Sequence, residues 1–190
     1  MIIIDPTIIE GCIRGERRAQ HTLYQACYVP LMKVCRQYTT DDQEAAAYLN
    51  EGFLKVFTHL EKWKGEGAFY AWAKRIVINT IIDGFRKSRK YKEMVHLKED
   101  QDMKAFDVRV DLNWADQHMD AESLLVVVRR LPEMSAKVFN LFASEGMDYR
   151  EIGGLLGIHE NTAKWHVFQA RKKLKEWIHP STVKQEVTNG

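Results

Sequence analysis

The stretch Asp148-Tyr149-Arg150-Glu151-Ile152-Gly153-Gly154-Leu155-Leu156-Gly157-Ile158, continued by Asn161 to Leu174, spells two helices with a tight turn between them. Asp148 with Glu151 three residues later is a capping pattern, so a helix starts there. Ile152, Leu155 and Leu156 give that helix an apolar side. Gly153 is small enough for close helix approach, and Gly157 can take the positive φ the turn requires. The second helix offers Ala163, Val167, Ala170 and Leu174 to a core, at steps of four, three and four. Asn161, Trp165, Phe168, Gln169 and Lys172 then share the opposite face. Two aromatics and an amide on the outer face of a basic helix suit base edges and thymine methyls in a major groove. The other reading is an ordinary helical hairpin whose Trp165 and Phe168 pack on a neighbour.

Around this hairpin the charge is unevenly spread, although the 190-residue chain carries a net charge of only +2. From Lys74 to Lys92, seven bases (Lys74, Arg75, Arg86, Lys87, Arg89, Lys90, Lys92) face only Asp83, a local +6. From Glu93 to Glu122, nine acids oppose Lys98, Lys104 and Arg109, a local −6. From Glu160 to Ile178 five bases oppose two acids, a local +3. Two basic poles around an acidic connector fit two nucleic-acid contacts and a linker that avoids the duplex. Solvated faces are the plainer account of any one such run.

The first half is helical as well, in keeping with only four prolines. Pro6 after Asp5 opens a short amphipathic helix through Ile8, Ile9, Cys12 and Ile13 that ends near Gly15. A second pattern runs from about Glu16 to Tyr38, with Pro30 as a possible kink. A third begins at Thr40 or Asp41 and buries Ala45, Tyr48, Leu49, Phe53, Val56, Phe57 and Leu60. Glu51, Lys55, Thr58 and Lys62 lie outside that stripe, with Asn50 and Leu54 at its margin. After the glycine-bearing loop from Trp63 to Gly67, a helix from Phe69 to Lys92 is apolar nearly all round and so belongs at the centre of a bundle. One polar stripe interrupts it: Trp72, Arg75, Asn79, Asp83, Arg86 and Lys90, at steps of three and four. A helix that tracks nucleic acid has a use for such a stripe, with Arg and Lys for phosphates and Trp72 and Asn79 for bases. Residues 93–120 are acidic and aperiodic and read as a linker, with Phe106, Val108 and Trp114 able to dock. Leu124 to Leu131 and Ala136 to Ala143 supply two helices that support the hairpin.

Cys12, Cys27 and Cys35 form no C-x-x-C pair, and the odd count without a secretion signal points to reduced, buried thiols. The seven histidines form no metal-ligand spacing. No metal, cofactor or catalytic constellation is expected, and the acids that could serve an enzyme are concentrated in the linker. Met1 to Ile4 stops at Asp5-Pro6, and no apolar run approaches membrane-spanning length, so a cytoplasmic chain without membrane insertion is expected.

Four stretches, in order over about residues 8 to 178, give the chain a strong resemblance to the extracytoplasmic-function (ECF) sigma factors, small specificity subunits of bacterial RNA polymerase in the sigma-seventy superfamily. They are Asn50-Glu51-Gly52-Phe53; Gly67-Ala68-Phe69-Tyr70-Ala71-Trp72 running to Arg75-Ile76-Val77-Ile78-Asn79-Thr80; Leu131-Pro132; and Tyr149-Arg150-Glu151-Ile152 with Thr162-Ala163-Lys164 and Ala170-Arg171. The resemblance implies docking on core RNA polymerase through Asn50, Glu51 and Lys55. It implies capture of a flipped minus-ten base by Trp63 and Asn79. It places Lys164, Trp165, Phe168 and Gln169 on the minus-thirty-five element, with Arg171 toward phosphate. His166 and Gln169 stand where the family often has arginine, and both are counted with that surface. Ala47 stands where aspartate is common, Asn50 where glutamine is, and His159 replaces a better-capping serine. An anti-sigma partner is implied by the family alone.

The expected architecture is all-α, with two small helical domains joined by an acidic linker and the second a helix-turn-helix. Residues 1–92 form the domain for polymerase binding and minus-ten recognition, 93–120 the linker, 121–178 the minus-thirty-five domain and 179–190 a tail. A stand-alone LuxR-like regulator would explain the hairpin but not the polar stripe of the first half. A polymerase-binding protein that ignores promoters would leave both basic faces idle.

Overall fold

The computed structural model describes residues 4–63, 65, 67–88 and 121–178, with the side chains of 121–123 excepted. All elements among them are helical, and the chain divides after Lys87 into two compact units. Lys90, the end of the expected helix at Lys92, the linker 93–120 and the tail 179–190 lie outside the described residues.

The first unit contains α1 (Pro6–Ile13), α2 (Arg17–Tyr38), α3 (Asp42–Thr58), a 3-10 turn (Leu60–Lys62) and α4 (Phe69–Lys87). Asp5 caps α1 by accepting from the Thr7 amide, and Asp41 caps α3 by accepting from the Gln43 and Glu44 amides. The chain turns after α1 at Gly15, whose φ is 76°. Ile9 and Cys12 of the amphipathic pattern are buried, whereas Ile13 at its end is exposed. Helix α2 runs through Pro30 as one helix, losing the amide hydrogen bond that proline cannot donate. Along α3 and the turn that follows it, Ala45, Leu49, Phe53, Val56 and Leu60 are buried, whereas Tyr48 and Phe57 are partly so and Leu54 is 67% exposed.

Helix α4 is the buried centre: Phe69, Ala73, Val77, Ile78, Thr80, Ile81, Ile82 and Phe85 are all covered, and it packs on both α2 and α3. The α3–α4 contact is close in both directions. A Cβ at Gly52 of α3 would lie 2.8 Å from Val77 Cγ2 and 3.2 Å from Val77 Cα, and one at Gly84 of α4 would lie 2.6 Å from the Tyr48 ring. Each helix gives up a side chain where the other presents a bulky one.

In the second unit α5 (Ala121–Val128), α6 (Glu133–Ala143) and α7 (Tyr149–Leu156) each contact α8 (Glu160–Ile178), and α6 also packs on α7. The expected capping box is present: Asp148 accepts from the Glu151 amide at 2.8 Å, and Glu151 accepts from the Asp148 amide at 2.9 Å. Gly157 closes α7 at φ 69°, and a Cβ at Gly153 would sit 2.8 Å from the Ile158 carbonyl oxygen. Ala163, Val167, Ala170 and Leu174 of α8 are buried as their spacing predicts. Among the described residues no helix is long and apolar enough to cross a membrane.

Two glycine-to-alanine changes should have opposite signs. Gly52→Ala puts a methyl against backbone and a β-branched side chain and should cost about 1–3 kcal/mol, outweighing the gain in helix propensity. Gly154→Ala, on α7 with nothing within 4 Å of the new Cβ, should stabilise by about 0.5–1 kcal/mol. Urea unfolding of each variant checks this, and equal signs would contradict the packing.

The buried thiols give a pH dependence. Burial pushes Cys27 up to about 11 and Cys35 up to about 12 from the ordinary 9.0, because it penalises the thiolate. The folded chain therefore holds these protons more tightly than the unfolded chain. Their contribution is complete below pH 9.0 and is lost as pH rises through about 11 to about 12. Stability measured from pH 8 to 11 should fall less steeply in Cys35→Ala than in the parent chain.

Candidate nucleic-acid interface

Each unit carries one candidate surface. In the first, the end of α3, the 3-10 turn and the outer side of α4 enclose a hollow of about 330 Å³, lined by Lys55, His59, Lys62, Trp72, Ile76, Asn79, Thr80 and Asp83. Lys55, His59 and Lys62 fall on one side of their element through steps of four and three, as do Trp72, Ile76, Asn79 and Asp83 on α4. The His59 ring is anchored: its Nδ1 lies 2.8 Å from the Lys55 carbonyl oxygen and must donate, since a carbonyl only accepts. Thr80 is buried and donates its hydroxyl to the Ile76 carbonyl at 2.9 Å. Beside the hollow, Trp63 meets Phe69 edge-on at 5.4 Å, and Phe69 meets Trp72 at 5.7 Å. Trp63 itself does not line the hollow, and among the described residues its buried Nε1 has no hydrogen-bond partner.

An aromatic wall, a side-chain amide, two ammonium groups and a carboxylate around such a volume suit a flat polar ring carried on an anionic backbone. Arg75 and Arg86 are exposed on the same helix without lining the hollow. Of the residues expected on the polymerase, Asn50 is exposed and accepts from the Tyr24 hydroxyl at 2.9 Å. Glu51 pairs with Lys55 at 3.1 Å, and Lys55 also reaches the hollow. His59 and Thr80 lie outside the expected site, whereas Asp83 belongs to the polar stripe of α4, and the spacing of His59 and Lys62 with Lys55 is readable in the sequence.

In the second unit, Asn161 and Lys172 of α8 are exposed, and Trp165, Phe168 and Gln169 are half-buried. Lys164 binds Glu160 at 2.7 Å, and its ammonium lies 5.8 Å from the centre of the Tyr149 ring. The Glu160 carboxylate holds the Lys164 ammonium above its ordinary pKa, so it stays charged. Tyr149 stacks on Phe142 at 5.0 Å, and the Arg171 guanidinium lies 5.0 Å from the Phe142 centroid. Two expectations need correction. Arg171 is only 7% exposed and His166 only 1%, so both side chains are buried within the unit and not on its outer face. Arg171 is packed on Phe142, and His166 Nδ1 shares a hydrogen bond of 2.9 Å with Ser135 Oγ of α6. Both flank the apolar stripe of α8, and the neighbouring helices cover those flanks.

The start of α8 shows how His159 serves as a cap. Its carbonyl accepts from the Ala163 amide, and its Nδ1 accepts from the Asn161 amide at a long 3.2 Å. His159→Ser should shorten that contact and stabilise the chain by up to about 1 kcal/mol, read as a higher unfolding temperature. A lower one would show that the imidazole is the better cap here.

Two family models and several known proteins match the chain. Residues 23–91 match Sigma-70 region 2, and residues 121–174 match Sigma-70, region 4. The chain is similar to the RNA polymerase sigma-H factor of Pseudomonas aeruginosa, 25% identical over 182 residues that span 93% of this chain and 94% of the relative. It is similar to the ECF RNA polymerase sigma-E factor of Haemophilus influenzae, 24% identical over 186 residues, 94% of this chain and 97% of that one. Among solved structures it is similar to CnrH in complex with the cytosolic domain of CnrY, at 18% identity and a TM-score of 0.49, covering 94% of this chain and 99% of that chain.

Proposed function

The chain belongs to the ECF sigma-70 family, with a region 2 followed by a region 4, and from that premise we propose which of its residues meet polymerase and promoter. It is a sigma factor that binds core RNA polymerase and directs promoter-specific initiation, without catalysis of its own. In the proposed division, residues 1–92 bind polymerase and the minus-ten element, 93–120 connect, 121–178 bind the minus-thirty-five element and 179–190 are a tail. Asn50, Glu51 and Lys55 dock on core. Trp63, Trp72 and Asn79 hold an extruded base, with Arg75, Arg86 and Lys90 on the backbone. Asn161, Lys164, Trp165, Phe168, Gln169 and Lys172 meet the upstream element. The chain acts in the cytoplasm, and the family resemblance implies restraint by an anti-sigma factor.

The observation that carries the minus-ten assignment is the hollow itself, which sets Trp72 and Asn79 of α4 opposite the cations Lys55 and Lys62. A base leaving the duplex loses its stacking, and an aromatic wall returns about 1–3 kcal/mol of it. Run-off transcription with core polymerase tests the function as a whole: the holoenzyme should initiate at promoters that core alone ignores.

Trp63→Ala and Asn79→Ala should each slow promoter opening, followed by permanganate reactivity, and leave the affinity for core unchanged. Charge reversal at Glu51 or Lys55 should weaken core association at little cost in stability, within about 0.5 kcal/mol, and at Lys55, which also lines the hollow, it should slow opening as well. Wild-type opening in both the Trp63 and the Asn79 variants would move the base site elsewhere.

Gln169→Ala should relax preference at one upstream position, by roughly 1–3 kcal/mol if its contact is bidentate. Lys164→Ala should weaken all sites alike and reduce the salt slope by about one. Selection from randomised upstream elements separates the two, and equal enrichment by parent and Gln169→Ala would remove Gln169 from the base readers.

A further inference from the structure

The buried His166 occupies the residue next to Trp165, and its surroundings give it a task. Its ring is tied to α6 by the 2.9 Å hydrogen bond to Ser135, across 31 residues of sequence. The same ring meets the Trp165 indole edge-on, with centroids 4.9 Å apart and planes at 78°. Trp165 is half-buried on the outer side of α8, beside Lys164 and one turn before Phe168 and Gln169. Neighbours in sequence on a helix ordinarily diverge, so contact between two such rings fixes the torsions of both. An indole free to sample several wells would lose that freedom on meeting DNA, whereas one already held loses little.

We propose that Ser135 and His166 are a positioning pair that sets the Trp165 indole for the upstream element. This rests on the reading of α8 as the helix that meets that element. Ser135 fixes the plane of the imidazole, the imidazole edge limits the indole, and the indole presents one defined face. Neither Ser135 nor His166 touches DNA. Both act through Trp165.

Fluorotryptophan labelling of the full chain gives a separate fluorine NMR resonance for each tryptophan, with Trp165 assigned by its loss in Trp165→Phe. Ser135→Ala removes the hydrogen bond. His166→Asn keeps a polar group at the Nδ1 position but removes the ring. Ser135→Thr restores the hydroxyl. Ser135→Ala and His166→Asn should shift and broaden the Trp165 resonance, Ser135→Thr should return it toward the parent position, and the Trp177 resonance of the same unit should stay in place. In holoenzyme, Ser135→Ala should weaken preference about tenfold at the position where Trp165→Ala abolishes it. An unmoved Trp165 resonance in both variants would overturn the pairing, as would Trp177 moving equally, which marks general loosening. If Trp165→Ala selects the parent sequence, the reading of α8 at Trp165 fails instead. That result is distinct from a selection that changes while the resonance stays fixed.

Discussion

The separation of α3 and α4 governs what the first unit can do. Gly52 faces Val77 and Gly84 faces Tyr48, so each helix omits a side chain where the other crowds it. The hollow has its walls on these two elements: Lys55, His59 and Lys62 on one side, Trp72, Asn79 and Asp83 on the other. Its width is therefore set by core packing together with the 3-10 turn that carries Lys62. Side chains on packed helices are held more precisely than side chains on loops. On the proposed reading, that suits a site that keeps a displaced base from returning to its partner.

Helix α8 solves a different problem, because one surface must fill a core while the other faces a ligand. Its core-facing residues Ala163, Val167, Ala170 and Leu174 are small or β-branched apart from Leu174, and they are covered completely. The flanks are filled by polar groups with aromatic or hydroxyl partners: Arg171 on Phe142, His166 on Ser135 and, at the more open edge, Lys164 near Tyr149. Lys164 also holds Glu160, an exposed pair of the kind that contributes little to stability. The ammonium can exchange that carboxylate for a phosphate at small cost. Arg171 has no such freedom.

Local rules made much of this legible before any coordinates. The Asp148–Glu151 box, the left-handed Gly157 and the four-three-four burial of α8 depend on neighbours within a few residues, and each is present. The same holds for the caps at Asp5 and Asp41 and for most of the α3 stripe. Where the reading fell short, the deciding partner was distant in sequence. His166 and Arg171 lie beside the apolar stripe, and helical periodicity alone cannot say how far the covering helices extend over its edges. Phe142, Tyr149 and Ser135 make that decision, and nothing local to α8 reports them. His59 was hidden for a related reason, since a site residue at the end of one helix is recognised only when the helix opposite is known. Ile13 shows the limit in the other direction, an apolar residue in correct register that the fold leaves uncovered.

The polar flanks of α8 bear on how such proteins could be retargeted. Exchanging α8 alone for that of a relative would leave Ser135 and Phe142 facing side chains they were not matched to, and the graft would pack poorly. The transferable cassette is larger than the helix that faces the ligand. It comprises α5 to α8, because Val128 and Leu131 pack with Phe139, Ala170 and Leu174, and a chimera joined ahead of Ala121 would carry these contacts intact.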